Sequence, residues 1–135
     1  MKKLLSTKYS AGAFSAAMLI LRLGFGILLM THGYDKLVHF NTMSANFTSF
    51  LGLSSGISLT LSIFAEFFCA LFVTIGLFTR LATIPIIINM SVALYKVHHL
   101  DFSVTGEKAT LFLIGFIVLL LVGPGRVSVD SMTGK

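Results

Sequence analysis

Long apolar runs, each interrupted by at most one charge, recur four times along the chain. The first covers Ala11 to Thr31 and contains Arg22 as its only charge. At about 1.5 Å of rise per residue it reaches roughly 31 Å, the thickness of a bilayer's hydrocarbon core. The second, Ile57 to Phe78, contains Glu66 alone. The third runs from Leu81 to Tyr95 and reaches position 97 when Lys96 snorkels; the fourth, Ala109 to Val122, reaches back to about position 105. Both are short against the roughly 17 residues expected of a span, so a re-entrant path is the alternative for each. Thr79-Arg80 reads as a tight hinge between the second and third runs, and Gly123-Pro124-Gly125 stops the fourth. Pro85, about one turn into the third, is a candidate kink.

The pattern predicts an all-α integral membrane protein with a single domain over residues 1–135. Its spans fall at about 11–31, 57–78, 81–97 and 105–122, arranged as an up-down four-helix bundle. Between the first two spans, Phe40, Met43, Phe47, Phe50 and Leu51 recur at helical spacing among Asn41, Ser44, Thr48 and Ser49. That stripe predicts a short interfacial helix covering the mouth of the bundle, either as packing or as a lid.

Composition leaves few other classes open. Hydrophobic residues make up 56% of the chain and charged residues 11%, with mean hydropathy +0.95. A soluble domain carries about a quarter charged residues, and disorder requires low hydrophobicity. The one cysteine, Cys69, excludes an internal disulfide, a cysteine-based zinc site and a CxxC redox motif. Redox chemistry would therefore come from a bound cofactor or a partner chain. The formal charge of +5 is spread singly, with only Lys2 and Lys3 adjacent among the lysines and arginines, so nucleic acid is not an expected partner. Met1-Lys2-Lys3 before an apolar run imitates a signal peptide. Yet the run is too long, Arg22 interrupts it and no small-residue cleavage site follows. With both termini inside, Lys2, Lys3, Lys8, Arg80, Arg126 and Lys135 lie inside and Lys36, Lys96 and Lys108 outside. Short loops rich in Lys and Arg stay cytoplasmic, which favours that orientation.

Arg22 costs its span roughly 2.5–3.5 kcal/mol at mid-membrane, while each neighbouring Leu, Ile or Phe returns about 0.3–0.6. It therefore needs a partner. Counted from Thr31 and Ile57, Arg22 lies about ten residues deep and Glu66 about nine, so they are expected to pair. Glu66 shares a face of small residues with Ser58, Ser62, Ala70 and Thr74, suited to close helix approach. Asn89, mid-span on the third helix, completes an expected Arg22–Glu66–Asn89 network, which either fixes helix register or marks a ligand site. His32, Asp35, Lys36, His98, His99, Asp101 and Glu107 gather at the outer mouth. Adjacent His98 and His99 cannot face one point, and no HxxxH or ExxH pair exists, so no metal site is expected. A headgroup pocket bounded by His32, Lys36, Lys96 and Glu107, with Glu66 beneath, is the alternative to plain solvation.

Several motifs carry a family resemblance. Leu21-Arg22-Leu23-Gly24-Phe25-Gly26, His32-Gly33, Lys36-Leu37, Phe50-Leu51-Gly52-Leu53, Ala65-Glu66, Gly76-Leu77-Phe78-Thr79-Arg80, Glu107 and Gly123-Pro124-Gly125-Arg126-Val127-Ser128-Val129-Asp130 occur in order. Over about Met18 to Asp130 the chain resembles the DoxX family. The resemblance implies a small four-helix protein of the bacterial or archaeal cytoplasmic membrane, and Arg22, His32, Lys36, Glu66, Arg80 and Glu107 match its motif positions. It further implies an accessory subunit of a quinone-linked redox complex, whose partner subunit carries the electron-transfer cofactor. No cofactor motif lies in the chain itself; quinone is the candidate ligand. The alternatives are a module that binds or transports a lipid-like or ionic ligand, and a scaffold without ligand. A homo-oligomer is compatible with each. The residues supply no nucleophile–base pair or phosphate loop, so a self-sufficient enzyme is not expected.

Overall fold

The computed structural model describes residues 1–134; Lys135, counted above among the inner cations, lies outside the described residues. All regular structure among them is helical. Helix α1 spans Ala11–Val38, α2 is a single turn at Phe40–Met43, α3 spans Ser55–Ile75 and α4 Thr79–Val97. Helix α5 covers Glu107–Val122 and α6 is a last turn at Val129–Met132. By length and apolar composition α1, α3 and α4 can each cross a membrane, at 28, 21 and 19 residues. Helix α5 has 16.

Ser10 and Ser54 start α1 and α3 by accepting the amides of Ala13 (3.0 Å) and Ile57 (3.2 Å), which otherwise lack intrahelical partners. Helix α1 then continues to Val38 instead of stopping at Thr31. Its polar end remains helical because Gly33 and Lys36, three residues apart, share the face packed on α3. The expected interfacial helix shrinks to α2. Residues 44–54 form an irregular strap in which Leu51 and Gly52 take positive φ of 51° and 74°. Ser and Asn side chains here compete with helical bonding. The hydroxyl of Ser55 donates to Ser44 O, Ser58 Oγ accepts the Phe50 amide at 3.0 Å, and Lys96 donates to Ser49 O at 3.2 Å.

The hinge between α3 and α4 also moves, from Thr79-Arg80 back to Gly76–Phe78. Gly76 adopts the left-handed conformation at φ 77°, and Phe78 follows at φ 48°. The strain at Phe78 is compensated from a distance. Asp130 Oδ1 accepts the Phe78 amide at 2.8 Å, and Oδ2 accepts the Thr79 amide at 2.9 Å, capping α4.

Helix α3 packs on both α1 and α4, and α5 packs on α4 and α1, so the four long helices close a ring. Leu29, Ala65, Cys69, Ala70, Val73, Ile86, Phe116 and Leu119 fill its interior. The small-residue face of α3 points inward: Ser58, Ser62, Glu66 and Ala70 are all buried. Ile20, Leu28, Ile88, Leu111, Ile114 and Leu121 face outward. Such an apolar exterior matches lipid rather than water.

Candidate functional site

Three glycine or arginine positions on α1 define its register against α3. A methyl group at Gly33 would lie 2.7 Å from the Glu66 carbonyl carbon and the Phe67 nitrogen, so the two backbones touch there. One at Gly26 would lie 3.3 Å from Ala70 O and Thr74 Cβ. Arg22 reaches Thr74 O at 3.5 Å and abuts Gly76. Position 22 therefore faces 74–76 and position 33 faces 66–67. These contacts are about eleven residues apart along α1, or roughly 16 Å.

Arg22 and Glu66 accordingly do not pair, which corrects the expected Arg22–Glu66–Asn89 network. Equal depth was counted from Thr31, but α1 continues seven residues to Val38 and shifts the register. Arg22, 1% exposed, donates to the carbonyls of Thr74 and Val127. The segment after α5 folds back to supply the latter. Ser128 packs against Gly76, and Asp130 donates its amide to Gly76 O at 2.8 Å. The negative charge of Asp130 faces the guanidinium electrostatically.

Glu66 forms a separate centre. Lys36 replaces Arg22 as its cation. Glu66 Oε2 also accepts Ser62 Oγ at 2.7 Å and Asn89 Nδ2 at 2.9 Å, so the Glu66–Asn89 half of the network does form. Lys36 makes a further contact with Ser62 Oγ at 3.3 Å and lies 5.9 Å from the centre of the Phe47 ring. Glu66 falls within a π turn, Phe64–Cys69, and a second π turn, Ala93–Val97, closes α4. Such turns are rare and concentrate at functional sites.

Beside this centre lies a cavity of about 460 Å³. Lys36, Ser62, Glu66 and Asn89 form one polar cluster in its lining, which also includes Thr48, Ser58 and His98. Leu61, Phe64, Pro85, Ile88 and Val92 form its apolar wall, and Phe47 and Phe50 come down from the strap. Pockets of roughly 300–1,000 Å³, mostly apolar with a few convergent polar groups, are typical of small-molecule sites.

The headgroup pocket expected from His32, Lys36, Lys96 and Glu107 is not assembled; only Lys36 belongs to the cavity. His32 projects to the opposite side of α1, where its ring meets Phe112 edge-on at 5.8 Å. Lys96 holds the strap at Ser49 and borders a shallower recess with Tyr95 and His99. Glu107 is exposed in the first turn of α5. His98 lines the cavity, whereas His99 does not. Arg80 donates to Leu121 O (3.4 Å) and Val122 O (3.2 Å), satisfying carbonyls at the end of α5. Asp101 accepts the Val104, Ser103 and Thr105 amides at 3.2, 3.3 and 3.5 Å, and the Val104 bond first among them holds its carboxyl below the ordinary value of 3.8.

Sequence reasoning missed Val127 and Asp130 as Arg22's surroundings. A backbone carbonyl acceptor leaves no residue-type signal, although Asp130 closes the string of motifs on which the resemblance rests. Ser62 was visible on the inward face but not as a ligand of Glu66.

No curated protein and no solved structure matches the chain. A family model does: the DoxX model matches residues 17–99, from within the Arg22 helix through the whole of the Lys36–Glu66–Asn89 cavity. With three membrane-length apolar helices and more than half its length matched, the chain belongs to the DoxX family of membrane proteins.

Proposed function

We propose that the protein is an accessory, non-catalytic subunit of a quinone-linked redox complex, and that it holds the head of a quinone-type amphiphile in the Lys36–Glu66–Asn89 cavity. The observation that carries this reading is an ion pair and an amide placed together at the edge of an otherwise apolar, 460 Å³ space. An amphiphile needs that combination, polar partners for its head and an apolar cleft for its tail. The electron-transfer cofactor belongs to a partner chain. A lipid-like ligand without redox chemistry would occupy the same cavity and is the second reading.

All four long helices cross the bacterial cytoplasmic membrane in this proposal, up and down, with both termini cytoplasmic. Support comes from the basic-residue asymmetry and from paired ends: Gly125 packs near Met18 and Ser15, and Arg80 reaches the end of α5. The strap then faces outward. Reporter fusions after Asn46 and Asp101 should read outside and one after Lys135 inside.

Purification of the full chain from its host in mild detergent, with mass spectrometry of retained lipids and proteins, tests the function. A quinone-type lipid, in either redox form, and a redox subunit are expected with the wild type, and the lipid is lost from Glu66→Gln. Retention of the redox subunit with no quinone in either form leaves a scaffold. Ligand flux in liposomes without redox partners favours the lipid-like reading.

A further inference from the structure

The hydrogen bonds around Glu66 are unequally shared. Oε2 takes all three donors, from Lys36, Ser62 and Asn89, while Oε1 accepts none among the described residues. The side chain is 3% exposed and lines the cavity, so Oε1 is left to the cavity rather than to a protein donor. Asn89 spends Nδ2 on Glu66, and its Oδ1 likewise accepts nothing among the described residues. Lys36 is 22% exposed and also meets the Phe47 ring. At the Glu66–Asn89 cluster the unmet demand is therefore for a hydrogen-bond donor.

The cavity's walls give the route. On the strap side Phe47 and Phe50 cover it. Between α3 and α4 its lining includes Leu61, Phe64 and Ile88, which are about half exposed on the lipid-facing exterior at 46%, 48% and 50%. The α3–α4 wall of the cavity therefore lies at the apolar exterior.

We infer that the cavity selects a neutral, hydroxyl-bearing amphiphile that enters sideways from the bilayer between α3 and α4, its hydroxyl donating to Glu66 Oε1 or to Asn89 Oδ1. A cationic head would meet Lys36, and a head with carbonyls alone would leave Oε1 unpartnered. The inference rests on the amphiphile reading above and sharpens it: of a quinone couple, the reduced dihydroxy form is held and the oxidised form is released. Single-hydroxyl glycerolipids share the required chemistry.

The full chain in phosphatidylcholine nanodiscs free of quinone is titrated with four probes: a decyl-chain hydroquinone, its quinone, its dimethyl ether and dioctanoylglycerol. The hydroquinone should bind at least about tenfold more tightly than the quinone and the ether, as a bond to a charged acceptor implies. Diglyceride binding on a par with the hydroquinone places the ligand among glycerolipids; diglyceride binding as weak as the ether's places it among hydroquinones. Glu66→Gln should reduce the hydroquinone preference below about threefold, with thermal unfolding run alongside. Should that variant not fold, Asn89→Leu, which keeps the Lys36–Glu66 pair, reads the same preference. Equal affinity for hydroquinone and quinone overturns the donor rule while leaving an amphiphile site. No binding by any probe overturns both.

Discussion

Arg22 and Glu66 are both charged, both almost fully buried and both on membrane-length helices, yet their surroundings are opposites. Arg22 is sealed: carbonyls of Thr74 and Val127 take its guanidinium, and Asp130 and Ser128 close over Gly76 beside it. Its Nε is one of the buried polar atoms left unpartnered among the described residues, and it does not line the cavity beside Glu66. Glu66 instead borders an open space and keeps one oxygen free. A charge enclosed by backbone carbonyls ties segments together, whereas a charge with an accessible lone pair beside an apolar cleft can exchange partners. Burial alone therefore does not mark a functional charge in a membrane protein.

The largest effect should come from breaking the sealed centre. Removing one member of a buried charged cluster typically costs about 3–5 kcal/mol, because the groups left behind lose their counterpart. Arg22→Leu should lower unfolding free energy in mixed micelles by about that amount, while the folded fraction keeps its cavity affinity. If Arg22→Leu unfolds like wild type but loses ligand binding, the division between the two centres is wrong.

Gly33 is the point where the cavity depends on helix packing. With 2.7 Å to the Glu66 backbone, a methyl group must push α1 away from α3. Overpacking of this kind costs about 1–3 kcal/mol. Gly33→Ala should be destabilising and should also weaken cavity binding, since Lys36 moves with it. The corresponding change at Gly24, where a methyl group meets nothing within 4 Å, should do neither.

A double-mutant cycle in Arg22→Leu and Glu66→Gln measures the separation directly. Sites more than about 7–10 Å apart add within about 0.3–0.5 kcal/mol. Glu66 lies eight residues, roughly 12 Å along α3, from Thr74, which Arg22 contacts. Near-additivity is expected, and a coupling above about 1 kcal/mol would restore a joint network.

The smallest effect lies outside both centres, at the exposed Asp101. Its folded-state pKa is depressed, chiefly by the Val104 amide, so its contribution to the turn is complete above the unfolded value near 3.8. It is lost as pH falls further, through the lower folded value. Amide exchange at Val104 and Thr105 should accelerate in that window, with the cavity amides unaffected. Parallel acceleration around Glu66 would mean that the turn and the cavity are not independent.

Much of the architecture was legible in residue order. The four apolar runs became the four long helices, because a 3.6-residue repeat of apolar side chains has no better way to satisfy its backbone in lipid. Gly76 and Gly123-Pro124 broke them through local backbone preference, and the Ser58–Ser62–Glu66–Ala70 face turned inward because small residues permit close packing. Asn89 as a partner of Glu66 was also within reach of depth counting.

The partners of the two charges were decided only by tertiary structure. Depth counting needs the true helix ends, and Thr31–Val38 stays helical because Gly33 and Lys36 dock on α3, a contact between segments more than thirty residues apart in sequence. The same holds for the strap, whose helical spacing of phenylalanines yielded to serine–backbone bonds and to the ties at Ser58 and Lys96. Arg22 is satisfied largely by backbone carbonyls, which every residue carries, so composition could not point to Val127. Residue type specified which groups needed partners; the register between helices, set by packing over distances no local pattern spans, specified which partners they found.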